Sequence, residues 1–128
     1  MSRPQKTMGL CVCSFLIVYM LFHQLFYLGY VPSASMEPTI RQGSYIFGTR
    51  LIRSLAPGDI IIFRHGRQTL TKRIAYGPGD TLPSGATVPD DVYYVLGDNR
   101  TVSVDSRSWN DPFIPRNAII AKYIFEYQ

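Results

Sequence analysis

A serine and a lysine, Ser35 and Lys72, carry the clearest chemical potential in this 128-residue sequence. Ser35 stands in Val31-Pro32-Ser33-Ala34-Ser35-Met36-Glu37-Pro38-Thr39, and Lys72 in Thr71-Lys72-Arg73-Ile74. A serine hydroxyl becomes a useful nucleophile when a base removes its proton, and a desolvated lysine can be that base. For this the amine pKa must fall from about 10.4 by roughly 2–3 units, at about 1.36 kcal/mol per unit. Lys72 interrupts an apolar run between Leu70 and Ile74, so an inward-facing amine would be desolvated, and the neighbouring Arg73 pushes the same way. Pro32 and Pro38 restrict the backbone on either side of Ser35. Ser33 lies two residues earlier, where its hydroxyl could join a backbone N–H in stabilising an oxyanion. Singly, a serine near a proline is ordinarily a turn residue and Lys72-Arg73 a solvated pair. The combination is what points to catalysis.

A third cluster, Gly97-Asp98-Asn99-Arg100, Ser103, Asp105-Ser106-Arg107 and Trp109, follows. It reads either as a polar turn held by Asp–Arg pairs or as a shell that orients the lysine, and both can hold together. A Ser-His-Asp arrangement would need His65 as base, but His65 falls at an expected turn tip between Arg64 and Gly66, where exposure argues against that role. With His23 and His65 the only histidines and no ligand cluster around either, neither a metal nor another cofactor is expected.

The nucleophile sits just behind an apolar stretch, Met8 to Tyr30, preceded by Arg3 and Lys6. A cleaved signal and a retained span compete for such a stretch. Ser33-Ala34-Ser35 even supplies small residues suited to a cleavage site, but cutting there would behead the one motif that looks catalytic. A retained span is therefore expected, giving a cytoplasmic N-terminus over 1–7, a transmembrane helix over 8–30 and an extracytoplasmic domain over 31–128. Cys11 and Cys13 both fall in the span and, two apart on a helix, face apart, so no disulfide is expected. The net charge of +4 comes from scattered arginines without a nucleic-acid motif. It fits a lipid bilayer as partner better than nucleic acid.

The remaining hundred or so residues read as a mainly β domain. Tyr45-Ile46-Phe47 is a short strand, and Ile60-Ile61-Ile62-Phe63 an apolar strand buried on both faces. The turn Arg64-His65-Gly66-Arg67 returns the chain into a strand from Leu70 to Tyr76. Leu82 to Asp91 is a connector, and Val92 to Leu96 and Ala118 to Phe125 are the last strands. With no amphipathic helix in this part, an antiparallel barrel or folded-over sheet is expected.

These stretches together resemble the bacterial type I signal peptidases, membrane-bound serine endopeptidases that remove signal peptides from exported preproteins. The resemblance runs in order through Pro32–Thr39, Pro57-Gly58-Asp59 to Phe63, Lys72-Arg73-Ile74 to Pro78-Gly79-Asp80, and Gly97 to Trp109. It implies Ser35 as nucleophile, Lys72 as general base, and an oxyanion hole from the Ser33 hydroxyl and the Ser35 N–H. It implies that Ser103 hydrogen-bonds the lysine while Arg73, Asp98, Asp105 and Arg107 brace the site through ion pairs. The family takes small residues at positions −1 and −3 of the substrate, with Met36, Ile40, Leu70 and Thr71 expected to line those pockets. Its partners would be signal peptides emerging from the export machinery.

Three departures stand out. Ala34 replaces the glycine often found between the two serines, and Asn110, with Asp111-Pro112 after it, replaces a glycine at the end of the last motif. The short interval between Lys72 and Gly97 leaves no room for the second β-domain inserted there in many relatives. The lysine favours a bacterial cell-membrane or mitochondrial inner-membrane enzyme over the endoplasmic-reticulum relatives, which carry histidine. A non-proteolytic assembly factor, or a maturase specialised for pilus, conjugation or surface proteins, is the alternative on the same fold.

Overall fold

A computed structural model describes residues 2–128. Helix α1 spans Arg3–Leu25, opening with Gln5 Oε1 accepting a 3.0 Å hydrogen bond from the Ser2 N–H. Its 23 residues, none buried, make it the one helix among the described residues long and apolar enough to cross a membrane. At 1.5 Å per residue it measures about 35 Å, more than the roughly 30 Å hydrocarbon core. The helix starts before Met8 and ends before Tyr30. Residues Phe26–Tyr30 instead form strand β1, paired in antiparallel register with β2, Tyr45–Thr49. An apolar run reads alike as helix or strand, and here a partner strand satisfies the backbone and decides the outcome.

Five further strands follow: β3 (Ile60–His65), β4 (Gln68–Tyr76), β5 (Val92–Leu96), β6 (Phe113–Pro115) and β7 (Ile119–Tyr127). They form one antiparallel sheet in the order β1-β2-β7-β3-β4-β5-β6. With β1 and β6 at its two edges the sheet is open, so it does not close into a barrel. The β3–β4 hairpin turns through Gly66-Arg67, where Gly66 takes a φ of +61°. Strand β6 escapes the sequence because three residues are too few to show a period.

The four apolar residues of β3 explain the centre of the fold. Ile60 and Ile62 join Val31, Met36, Ile40, Ile46 and Ala121 in one cluster; Ile61 and Phe63 join Ile74, Val95, Ile114 and Ile119 in another. Alternation along a strand sends successive side chains to opposite faces, so both faces of β3 are dry and the strand reads as an unbroken apolar run. Phe63→Ala is expected to destabilise the detergent-solubilised chain by about 3–5 kcal/mol in denaturant melts. A loss below about 1 kcal/mol would place Phe63 outside the packed core.

Candidate active site

The segment carrying Ser35 is a loop closed at its base. Val31 N–H donates to Ser44 O at 3.0 Å and Gly43 N–H to Val31 O at 2.7 Å. Val31, Met36 and Ile40 anchor it in the core. Gln42 Nε2 donates to Pro32 O at 2.9 Å, and Glu126 of β7 accepts from Arg41 N–H at 2.9 Å and from Ser44 Oγ at 3.0 Å. Ser33, Ala34 and Ser35 are thus displayed on a loop fixed from both ends.

Lys72 approaches from β4. It shares a face with Leu70 and Ile74 by strand alternation and stands opposite Ile61 of β3. Only 4% of it is exposed, and its Nζ lies in a 2.7 Å hydrogen bond with Ser35 Oγ. Ser33 Oγ donates to the same Ser35 Oγ at 3.2 Å. Ser35 Oγ is the single hydrogen-bond partner of the amine among the described residues. An ammonium has three N–H donors to satisfy, and a buried charge with one neutral partner is costly. Burial accordingly lowers the Lys72 pKa; Asp105 opposes the shift and Arg107 adds to it. The arrangement suits a neutral amine that accepts a proton from the hydroxyl.

Arg73, the next residue on β4, faces the other way. Its guanidinium grips Asp98 through Nε and Nη2 at 2.9 and 2.8 Å, and its Nη1 donates to Gly58 O at 2.7 Å. Thr39, at the end of the serine loop, donates its hydroxyl to Asp98 Oδ2 at 2.5 Å. The hydrogen bond from Arg73 holds the Asp98 pKa below its ordinary value. Asp105 is fully buried, paired with Arg107 at 2.8 Å and accepting from Gly97 N–H at 3.0 Å. Burial would push its carboxyl upward, but Arg107 and the Gly97 N–H outweigh it and leave the pKa at about 2. Gly97 is required sterically, because a Cβ there would meet the Ser103 side chain and come within 2.7 Å of the Ser35 carbonyl oxygen. The buried Ser103 hydroxyl lies beside Asp105 and, among the described residues, has no partner within hydrogen-bond geometry, Lys72 included.

Ser35 and Lys72 open into a cavity of about 640 Å³. Met36, Leu70 and Thr71 line it with Ser33, whereas Ile40 is fully buried in the core and does not. Between Gln68 and Lys72, β4 pairs with β3 on one side alone, and its partnership with β5 begins at Arg73. The cavity is thus flanked by a strand edge open to another extended chain. His65 forms part of the far wall, its ring stacked on Trp109 at 3.9 Å between centroids, and makes no hydrogen bond to Ser35. Thr39, Asn99, Gln42 and Glu126 have no individual role that the sequence alone points to. The first two stand inside the motifs that held Ser35 and Asp98, a signal that was there to use; Glu126 acts across 85 residues and left none.

The family model described as signal peptidase, peptidase S26, matches residues 5–84 and 82–128. The chain belongs to this family. It is 28% identical over 130 residues to a probable signal peptidase I-2 of Synechocystis, covering 73% of this chain and 59% of that protein. Signal peptidase I of Bacillus amyloliquefaciens is 27% identical over 135 residues, covering 74% and 73% of the two chains. Signal peptidase I of Aquifex aeolicus is 40% identical over 58 residues, 41% of this chain and 23% of that one. The chain therefore spans about three-fifths of the length of the first of these relatives.

Two of the three departures have local solutions. The interval from β4 to β5 is a tight connector, with Leu82 and Val88 buried and Thr81 bridged to Thr87. After Asn110, Pro112 O accepts from the buried Ser106 at 2.6 Å, which ties the loop back beneath β5.

With Lys72 as the proposed general base, Arg107→Gln is expected to move the acid limb of the pH–rate profile to higher pH. Removing Arg107 takes away a positive charge that lowers the Lys72 pKa and leaves Asp105, which raises it, uncompensated. The neutral amine then appears only at higher pH. Cleavage rates from pH 6 to 10 check this, and an acid limb that stays put or moves down would refute it.

Proposed function

We propose that this chain is a membrane-bound serine endopeptidase that removes N-terminal signal peptides from exported preproteins. The 2.7 Å contact between the buried Lys72 amine and Ser35 Oγ at the wall of an apolar cavity carries this reading. Neutral Lys72 takes the hydroxyl proton as Ser35 Oγ attacks the scissile carbonyl. The carbonyl oxygen becomes an oxyanion facing the Ser35 N–H and the Ser33 hydroxyl. Protonated Lys72 then gives its proton to the leaving amine, and an acyl-enzyme remains. A water passes a proton to the neutral amine and attacks the ester; as the tetrahedral intermediate collapses Lys72 returns that proton to Ser35 Oγ, which frees the serine hydroxyl and the new carboxyl terminus. A substrate lying extended along β4 would present alternate side chains to the cavity, in keeping with small residues at −1 and −3. Met36, Leu70 and Thr71 would line those pockets. Ser103 would serve the lysine by turning its unpartnered hydroxyl toward the amine.

The proposed topology puts the N-terminus in the cytoplasm, on the strength of Arg3 and Lys6, and the catalytic domain outside the cell membrane. An exposed aromatic face supports contact with lipid. Leu28 pairs with Phe47 and Tyr30 with Tyr45, while Phe47 and Tyr45 pair in turn with Phe125 and Tyr127. Leu28 and Tyr127 are 62% and 68% exposed, and Phe22 of α1 packs on Phe26 and Phe47, so the apolar surface continues unbroken from the helix. Such rings favour the bilayer interface.

Cleavage of a preprotein by the full chain in proteoliposomes tests the chemistry. Ser35→Ala and Lys72→Met are expected to lower kcat by at least about 10³-fold, with His65→Ala retaining cleavage. Full activity in either of the first two would sink the reading. A spin label on Leu28→Cys, with Cys11 and Cys13 replaced by serine, is expected to be reached by oxygen rather than by a nickel chelate. A label as open to nickel as one on Asp90→Cys would remove the lipid contact.

A further inference from the structure

Asn99 makes two hydrogen bonds to the serine loop from a loop 64 residues downstream, and the mechanism above uses neither. Its backbone N–H donates to Ser35 O at 2.9 Å, and its side-chain Nδ2 to Ala34 O at 3.1 Å. The amide is itself oriented. Thr101 Oγ1 donates to Asn99 Oδ1 at 3.3 Å, which leaves Nδ2 on the side of Ala34. Val102 and Ser103 N–H groups donate to Asn99 O at 3.2 and 3.0 Å and hold its backbone in a tight turn.

The peptide joining Ala34 to Ser35 is trans, so its carbonyl and its N–H point in opposite directions across one rigid plane. Fixing the Ala34 oxygen therefore fixes the direction of the Ser35 N–H. That N–H has a single neighbour, Ser33 Oγ at 3.5 Å, at the outer limit of a hydrogen bond, and both serines line the cavity. It remains available to an incoming oxygen. The Ala34 carbonyl also accepts from Glu37 N–H at 3.1 Å, a bond internal to the loop, so the Asn99 amide is the side chain that ties this plane to the rest of the domain. Two bonds accepted at the carbonyl polarise the amide and strengthen its N–H as a donor.

We propose that Asn99 is a positioning residue for transition-state stabilisation: its side-chain amide holds the Ala34–Ser35 peptide plane so that the Ser35 N–H faces the developing oxyanion. The proposal rests on Ser35 being the nucleophile. Asn99 touches no reacting atom. It acts through the peptide plane, so its effect belongs to the transition state and not to substrate binding.

The test uses the full chain in proteoliposomes with Asn99→Ala and Asn99→Asp, the latter keeping shape and backbone while replacing the NH₂ donor with an acceptor. Active-site titration counts correctly folded enzyme, and only that fraction enters the rates. Both variants are expected to lose about 10- to 100-fold in kcat, with KM within about twofold, against the roughly 10²–10³-fold cost of deleting an oxyanion donor outright. In Asn99→Ala the acid limb of the pH profile, set by Lys72, should stay in place. Affinity for a peptide boronate that adds to Ser35 is expected to fall in step with kcat/KM, while affinity for the cleaved product peptide does not change. Unchanged kcat per titrated site would overturn the proposal. So would equal losses of boronate and product affinity, which would make Asn99 a brace for the loop as a whole. Cleavage that survives Ser35→Ala would instead overturn the nucleophile assignment beneath it, an outcome that can be told apart because it does not involve Asn99.

Discussion

A lysine amine with one hydrogen-bond partner, held out of water, is the constraint on which the rest of this domain depends. A free amine in solvent is protonated at neutral pH and cannot accept a proton from serine. Burying it disfavours the charge, but the same burial opposes folding unless the surroundings fix the side chain and supply compensating apolar contacts. β4 supplies both, because Lys72 stands among Leu70, Ile74 and Ile61 with β3 locked to the core behind it. The nearby Asp105 would draw the proton back onto the amine, and Arg107 counters that pull while satisfying the buried carboxylate. The site is thus an electrostatic balance around a desolvated nitrogen.

The alternation of a single strand divides the labour. Lys72 turns inward to Ser35, and Arg73, one residue on, turns to Asp98, which Thr39 of the serine loop also reaches. The strand that carries Lys72 therefore grips the loop that carries Ser35 through a second, independent contact. Residues 97–99 complete the arrangement. Gly97 allows close packing beneath Ser103 and beside the Ser35 carbonyl, and Asn99 fastens the peptide planes on either side of Ser35. A short lysine–serine distance of this kind needs support from several directions, since long side chains otherwise disperse over rotamers.

The sheet connects this chemistry to the helix. α1 passes into β1 without a connecting loop, and β1 pairs with β2, whose first residue follows the serine loop. Ser35 is therefore tied to the apolar helix by two paired strands and not by a flexible tether. The aromatic rows on β1, β2 and β7 extend the same apolar character along the sheet.

The Ser35–Lys72 contact and the Arg73–Asp98 and Asp105–Arg107 pairs were legible in the sequence because few residue types suit the chemistry proposed for them. The buried β3 run and the β3–β4 hairpin were legible because patterning and turn residues are local signals. The end of α1 was not, since Phe26–Tyr30 is apolar enough for either state and pairing with Tyr45–Thr49 makes it a strand. Nor was the burial of Ile40 away from the cavity, or the clamp of Glu126 on Arg41 and Ser44, which joins residues more than eighty apart. The sequence alone determined which residues are proposed to react, Ser35 and Lys72, and the apolar segment beside them. Only the tertiary structure decided their distance, their dryness and the direction of the Ser35 N–H, because each depends on packing between segments that no local pattern records.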